Sequence, residues 1–143
     1  MREGRQMTEQ ELLTNIQILQ EQAKVFASNI EMLNMYLEDL YRSKTTLEGL
    51  KSVSQGDEIL VPIGASSFIR ARIDDTQNVI SGIGANVSVD RTVDEAIKNL
   101  EERISLTESK INQNQENYMK VAGTLEQLSA RARAVLQEKD LDV

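Results

Sequence analysis

Apolar side chains recur at alternating strides of four and three along two runs of nearly equal length. The first is Leu12, Ile16, Leu19, Ala23, Phe26, Ile30, Leu33, Leu37, Leu40, Lys44, Leu47, Lys51. The second is Val93, Ile97, Leu100, Ile104, Thr107, Ile111, Asn114, Tyr118, Val121, Leu125, Leu128, Ala132, Val135. Neither slips, and the period of 3.5 residues is that of a coiled-coil seam rather than a globular helix face. A chain patterned this way zips two rods together. It does not wrap a compact core around an active site.

Helix-start signals stand at the head of each run. Thr8-Glu9-Gln10-Glu11 and Thr92-Val93-Asp94-Glu95 both fit the capping box, in which hydroxyl and carboxylate satisfy each other's orphan backbone donors. The first helix is expected over about residues 9–53, roughly 65–70 Å at 1.5 Å per residue, with Gly49 weakening its end and Gly56 stopping it. The second is expected over about residues 92–138, softened locally by Gly123, which lies off the seam.

Between the rods the period drops to two. Ile59, Val61 and Ile63 alternate, as do Ile69, Ala71 and Ile73 against Arg70 and Arg72, and Phe68 leads the second set. Val79-Ile80 precedes Gly82-Ile83-Gly84, after which Ala85, Val87 and Val89 alternate with Asn86, Ser88 and Asp90. Four short strands with glycine-containing turns at 64–66 and 82–84 make two β-hairpins over about residues 58–90, joined by Asp74-Asp75-Thr76-Gln77. Pro62 cannot donate to a ladder, so it marks an edge or a bulge.

Equal helices flanking a short turn region fold back on each other, bringing the termini to one end and the hairpins to the other. The expected fold class is therefore mostly α: one domain over residues 1–143, a long antiparallel two-helix coiled coil with two central hairpins. A pairing centred on the hairpin segment puts Lys44 and Lys51 near Glu102 and Glu95; alternatively their stems pack and their ammoniums snorkel to water. Asn114 and Thr107 on the seam are expected to fix register and strand number. Isolated hairpins are marginal in water and their open edges template other strands, so the hairpins are expected to join those of other subunits in a shared sheet or barrel.

Composition removes whole classes of chemistry. With no His and no Cys, triads, thiol chemistry, disulfides and the usual zinc or copper sites disappear together. No catalytic residue, metal or cofactor is expected, and the carboxylates lie on solvated helix faces. Gly82-Ile83-Gly84 carries Val87 where a dinucleotide loop needs its third glycine, and no phosphate-cradling Gly-Lys-Ser/Thr element exists, so ATP hydrolysis is not expected. A net charge of −7 disfavours nucleic acid and anionic membrane surfaces. No stretch is apolar enough to span a bilayer, and Met1-Arg2-Glu3-Gly4-Arg5-Gln6 has no signal-like apolar region. The expectation is a cytoplasmic protein, in which Asn86-Val87-Ser88 is a strand segment rather than a glycosylation acceptor.

The segment Ile59-Leu60-Val61-Pro62-Ile63-Gly64-Ala65-Ser66-Ser67-Phe68-Ile69-Arg70-Ala71, followed by Val79-Ile80-Ser81-Gly82-Ile83-Gly84-Ala85 and Val87, resembles the hairpin region of alpha-class prefoldin subunits. With the heptads, the resemblance covers nearly the whole chain, and its length and short tails resemble archaeal members. It implies a heterohexamer of two alpha and four beta subunits, whose hairpins close into a double β-barrel body bearing six coiled coils. It also implies ATP-independent capture of non-native proteins and their delivery to a group II chaperonin.

On that basis the assembly residues are expected to be Ile59, Val61, Pro62, Ile63, Gly64, Phe68, Ile69, Ala71, Val79, Ile80, Gly82, Gly84, Val87 and Val89. Client binding is expected at the helix ends, where Leu13 and Ile18 lie off the seam beside Leu12, Ile16 and Leu19, and Leu136 and Leu141 lie off it beside Leu128 and Val135. Frayed ends would expose seam leucines that the middle keeps paired, and several weak tips together would supply avidity. Ile18, Val25 and Met32 also form a heptad-spaced stripe off the seam, with Met35 and Tyr36 close by. The alternative from another class is a passive coiled-coil scaffold or tether that assembles through its hairpins without binding clients.

Overall fold

The computed structural model describes residues 8–141, with side chains described as far as Glu138. The features expected at Met1–Gln6 and at the Leu141 side chain lie outside them. Helix α1 spans Glu9–Gly49 and tightens into a 3-10 turn over Leu50–Ser52; β1 is Glu58–Gly64, β2 Ser67–Arg72, β3 Asn78–Gly84, β4 Val87–Thr92, and helix α2 Val93–Leu141. The expected first helix therefore ends earlier, its last residues wound as 3-10 where glycine enters. Gly56 does not cap it. At φ +88° it turns the chain into β1, its N–H donating to the Ile73 carbonyl at 2.7 Å.

Both capping boxes form. Thr8 and Glu11 exchange bonds of 3.2 and 3.1 Å, and Thr92 and Glu95 exchange two of 3.1 Å. Each satisfies donors that the first helical turn leaves without carbonyls.

The chain clusters into two compact units, Met1–Met35 with Glu108–Val143, and Tyr36–Thr107. In the second unit the helix segments run antiparallel, as the ion pairs Lys44–Glu101 (3.6 Å) and Lys51–Asp94 (2.8 Å) require. Its core is Leu40 against Leu100 and Ile104, with Leu37 and Leu47 packed alongside. In the first unit Leu12, Ile111 and Leu128 are buried, and the Asn29 amide donates to the Asn114 side-chain oxygen at 3.3 Å. Every expected seam position is buried or half-buried except Lys51 and Tyr118. Both carry a polar tip on a long side chain, which leads them out to water.

The lysine partners differ from the expected Glu102 and Glu95 by one residue each. With Lys44 and Lys51 at heptad position a, Glu101 and Asp94 occupy e, which flanks the seam, whereas Glu102 and Glu95 occupy the outermost position f. Glu95 is also committed to the Thr92 cap. Thr107 departs from expectation too. Its buried hydroxyl donates to the Arg103 carbonyl of its own helix at 2.7 Å, which satisfies it without selecting a register. Asn114 alone of the pair reaches across.

The two hairpins are separate antiparallel sheets that repeat one plan twenty residues apart. Ile59 pairs Ala71 and Val61 pairs Ile69 in the first; Val79 pairs Arg91 and Ser81 pairs Val89 in the second. Register shifts between Pro62 and Gly64, and again between Gly82 and Gly84. Pro62 thus opens a bulge, and Gly64 (φ +99°) and Gly84 (φ +101°) take the left-handed backbone it requires. The turns are Ala65-Ser66 and Ala85-Asn86, with φ +50°, +60° and +50°, +61°. Positive φ at both central residues is the type I′ geometry that matches strand twist. The second turn was expected at 82–84; instead Gly82-Ile83-Gly84 belongs to β3, and Asn86, read as a strand residue, takes a turn position that asparagine tolerates. Ile73, expected in a strand, lies just beyond β2 and is buried.

Candidate functional site

Hairpin 1 (β1–β2) has one apolar face and one mixed face. Strand alternation puts Ile59, Val61, Ile69 and Ala71 on one side and Leu60, Pro62 and Phe68 on the other, together with Glu58, Arg70 and Arg72. Leu60 is 60% exposed, Phe68 56% and Ile69 50%, while Ile59 and Val61 are more than a third exposed. The bulged Ile63 is also 60% exposed. The charged side chains of that second face, Glu58, Arg70 and Arg72, lie on the half of the hairpin away from the turn. Arg70 reaches Glu58 at 3.8 Å, and Arg72 donates to the Gly56 carbonyl at 3.1 Å. A solvated hairpin turns its apolar face onto its own chain; here that face is open, and Leu60 and Phe68 stand exposed on the other, which marks a strand pair that another surface covers.

Hairpin 2 (β3–β4) differs. Val79, Ser81, Val89 and Arg91 share a half-buried face, whereas Ile80 stands out on the opposite one, 77% exposed. Ile83 and Val87 near the turn are half exposed. Entry into β3 is fixed by Asp75, whose carboxylate accepts from the Gln77 and Asn78 N–H groups at 2.8 and 3.1 Å and from the Asn78 amide at 3.1 Å. These bonds, the Gln77 N–H first, hold the Asp75 carboxyl below its ordinary range.

The expected assembly residues are thus gathered on the two hairpins, with Val79, Val89 and Ala71 already half-covered by their own chain. Leu60 and Ile83, which the sequence reading left out of the site, are among the most open apolar positions. For Leu60 the signal was in Leu60-Val61-Pro62-Ile63, where consecutive apolar residues break alternation; Ile83, between two glycines, had none.

The expected client-binding group divides. Leu13, Ile18 and Leu136 are half exposed. Ile16, Leu19 and Val135 are half-buried, and Leu12 (1% exposed) and Leu128 are buried in the folded helix pair. The last two can meet another chain only if that pair opens. Along α1, Ile18, Val25 and Met32 form an open stripe, and Ile18 and Val25 line a shallow apolar groove with Phe26. Two further exposed apolar residues, Leu106 and Met119, had no role in the sequence reading.

Among the described residues no three His, Cys, Asp or Glu side chains are grouped to hold a metal ion, and no helix is long and apolar enough to cross a membrane.

The prefoldin subunit family model matches residues 19–138. The chain belongs to the prefoldin subunit family. It is 34% identical over 133 residues to prefoldin subunit alpha of Pyrococcus horikoshii, covering 92% of this chain and 90% of that one. It is 43% identical over 95 residues to prefoldin subunit alpha 1 of Thermococcus kodakarensis, 66% of this chain and 65% of the relative. The alpha-subunit relatives place it with the alpha class of prefoldin. Solved structures share the fold. A chain of filamentous PFD from Methanocaldococcus jannaschii superposes with TM-score 0.71 at 22% identity, covering 82% of this chain and 97% of that one. The prefoldin beta subunit of Thermococcus strain KS-1 gives 0.59 at 17% identity, covering 90% and 91%. Prefoldin membership supports a chaperone role with other prefoldin subunits as partners.

Proposed function

We propose that this chain is the alpha-class subunit of an ATP-independent holdase. It assembles through its two hairpins with beta-class subunits, as two alpha and four beta, in a barrel-bodied hexamer. Its coiled-coil ends capture non-native proteins in the cytoplasm and pass them to a group II chaperonin, with no catalytic step, nucleotide or metal. The observation that carries this reading is hairpin 1, whose apolar face is open and whose other face exposes Leu60 and Phe68 beside its charged residues. Exposed area of that kind contributes about 25 cal/mol per Å² when covered, so association is the route by which such hairpins become stable.

Capture follows from the same physics at smaller scale. Leu13, Ile18 and Leu136 offer separate contacts, each too weak to hold a client, and several subunits acting at once raise retention through effective concentration. Non-native chains share exposed apolar groups rather than a shape, so unspecific contacts suit them.

The test mixes the chain with a beta-class partner and follows aggregation of a denatured client without nucleotide. Suppression near one hexamer per client is expected; its absence would overturn the holdase reading. Val87→Asp should prevent assembly, read by native mass spectrometry, and an intact hexamer in that variant would contradict the hairpin interface. The passive-scaffold reading gains support from the burial of Leu12 and Leu128. It requires unimpaired assembly with no suppression.

A further inference from the structure

Within the second unit, the inner face of hairpin 2 and helix α2 enclose a recess lined by Gly82, Ile83, Gly84, Arg91, Asn99 and Arg103. It holds two arginines in a chain whose acidic residues outnumber its basic ones by 23 to 16. Arg103 is positioned: its Nε and one terminal nitrogen donate to the Tyr36 hydroxyl, and its guanidinium carbon lies 5.6 Å from the centre of that ring. Three of its five N–H groups remain for another acceptor. Arg91 is half-buried, and among the described residues its side chain takes part in no hydrogen bond or ion pair. Neither arginine is ion-paired among the described residues, while Asp94 is held by Lys51 and Glu95 by the α2 cap.

We propose that the subunit packed against hairpin 2 places a carboxylate side chain in this recess, between Arg91 and Arg103. The inference rests on the proposed hairpin assembly and adds the chemistry of the partner. Ile83 lines the recess and, with Val87, is half exposed, so a subunit that covers Ile83 and Val87 also covers the recess beside them. Two like charges would then be removed from water with nothing to balance them, which a stable interface does not tolerate. One carboxylate answers both: it can accept in the plane of each guanidinium, with the Asn99 amide beside it. Gly82 and Gly84 present open space where a side chain would stand, so the backbone does not obstruct its approach.

A protein carboxylate fits this place better than a free phosphate or nucleic acid. The recess lies beside an apolar strand and adjoins another lined by Asp39 and Arg42, in a chain of net charge −7.

The experiment uses the full chain co-assembled with its beta-class partner. Arg91→Gln is expected to weaken assembly by about tenfold at low salt and to flatten its dependence on ionic strength, with helix content unchanged. Arg91→Lys is expected to retain assembly and to supply an amine. Carbodiimide then condenses that amine with the facing carboxylate into an amide, losing one water, and peptide mass spectrometry identifies both residues. A crosslink from position 91 to an Asp or Glu of the beta subunit supports the inference. No crosslink there, a crosslink within the same chain, or unaltered affinity and salt dependence in Arg91→Gln overturns it. If Val87→Asp breaks assembly while Arg91→Gln leaves it untouched, only the carboxylate inference falls. If Val87→Asp assembles, the hairpin interface falls with it.

Discussion

Lys51 Nζ lies 2.8 Å from an Asp94 carboxylate oxygen, tying the last turn before the hairpins to the first turn after them. The hydrogen bond to Asp94, and next the Asp94 charge, raise the Lys51 pKa above its ordinary 10.5. A lysine that holds its proton more tightly when folded contributes stability that is complete below about pH 10.5 and is lost as pH climbs through the raised value. Both side chains are exposed, so the effect is small and screened by salt. Thermal melts across the alkaline range should show the wild type losing its advantage over Asp94→Asn above pH 10.5. Parallel curves throughout would show that the pair contributes nothing.

The Asn29–Asn114 bond is the polar layer of the other unit, 3.3 Å long and partly buried, with Asn114 also donating to the Lys110 carbonyl at 2.8 Å. Asn114→Ala strands the Asn29 amide and should cost about 1 kcal/mol in urea unfolding. The double variant with Asn29→Ala should cost less than the sum of the singles, giving a coupling of about 0.5–1.5 kcal/mol. Additive singles would mean the bond has no energetic weight.

Helix existence, seam membership and the presence of two hairpins were legible because each rests on a repeated signal: thirteen positions can carry the second heptad run, but only two residues define a turn. The misplaced second turn shows this limit. Gly82-Ile83-Gly84 looked like the turn because glycine is common there, while the deciding evidence was Ile-Gly-Ala at 63–65 recurring at 83–85. That repeat required comparing the hairpins with each other. Burial of Leu12 and exposure of Ile83 were illegible for another reason. Periodicity says which face a residue occupies, and tertiary packing decides whether anything covers that face.

Ala65, Ser66 and Ala85 sit at positive φ without the asparagine or glycine that such turns favour. Replacing Ala65-Ser66 by Asn-Gly should relieve that strain and stabilise hairpin 1 by about 1 kcal/mol. Hydrogen exchange should then slow at the β1–β2 amides and leave α1 unchanged. Faster exchange at those amides would mean the native turn is already held by its surroundings.

The exposed end residues separate capture from packing. Leu13, Ile18 and Leu136 are each about half open, so changing all three to Ser removes little buried area and should shift stability by less than about 1 kcal/mol. Aggregation suppression should nevertheless fall several-fold, because avidity multiplies the loss at every tip. Leu12→Ser does the opposite in proportion. Its side chain is 1% exposed, so the helix pair should lose about 2–5 kcal/mol locally, seen as fraying by hydrogen exchange at the start of α1. If that fraying increases client binding, seam leucines are part of the capture surface; if binding is unchanged, Leu12 serves packing alone.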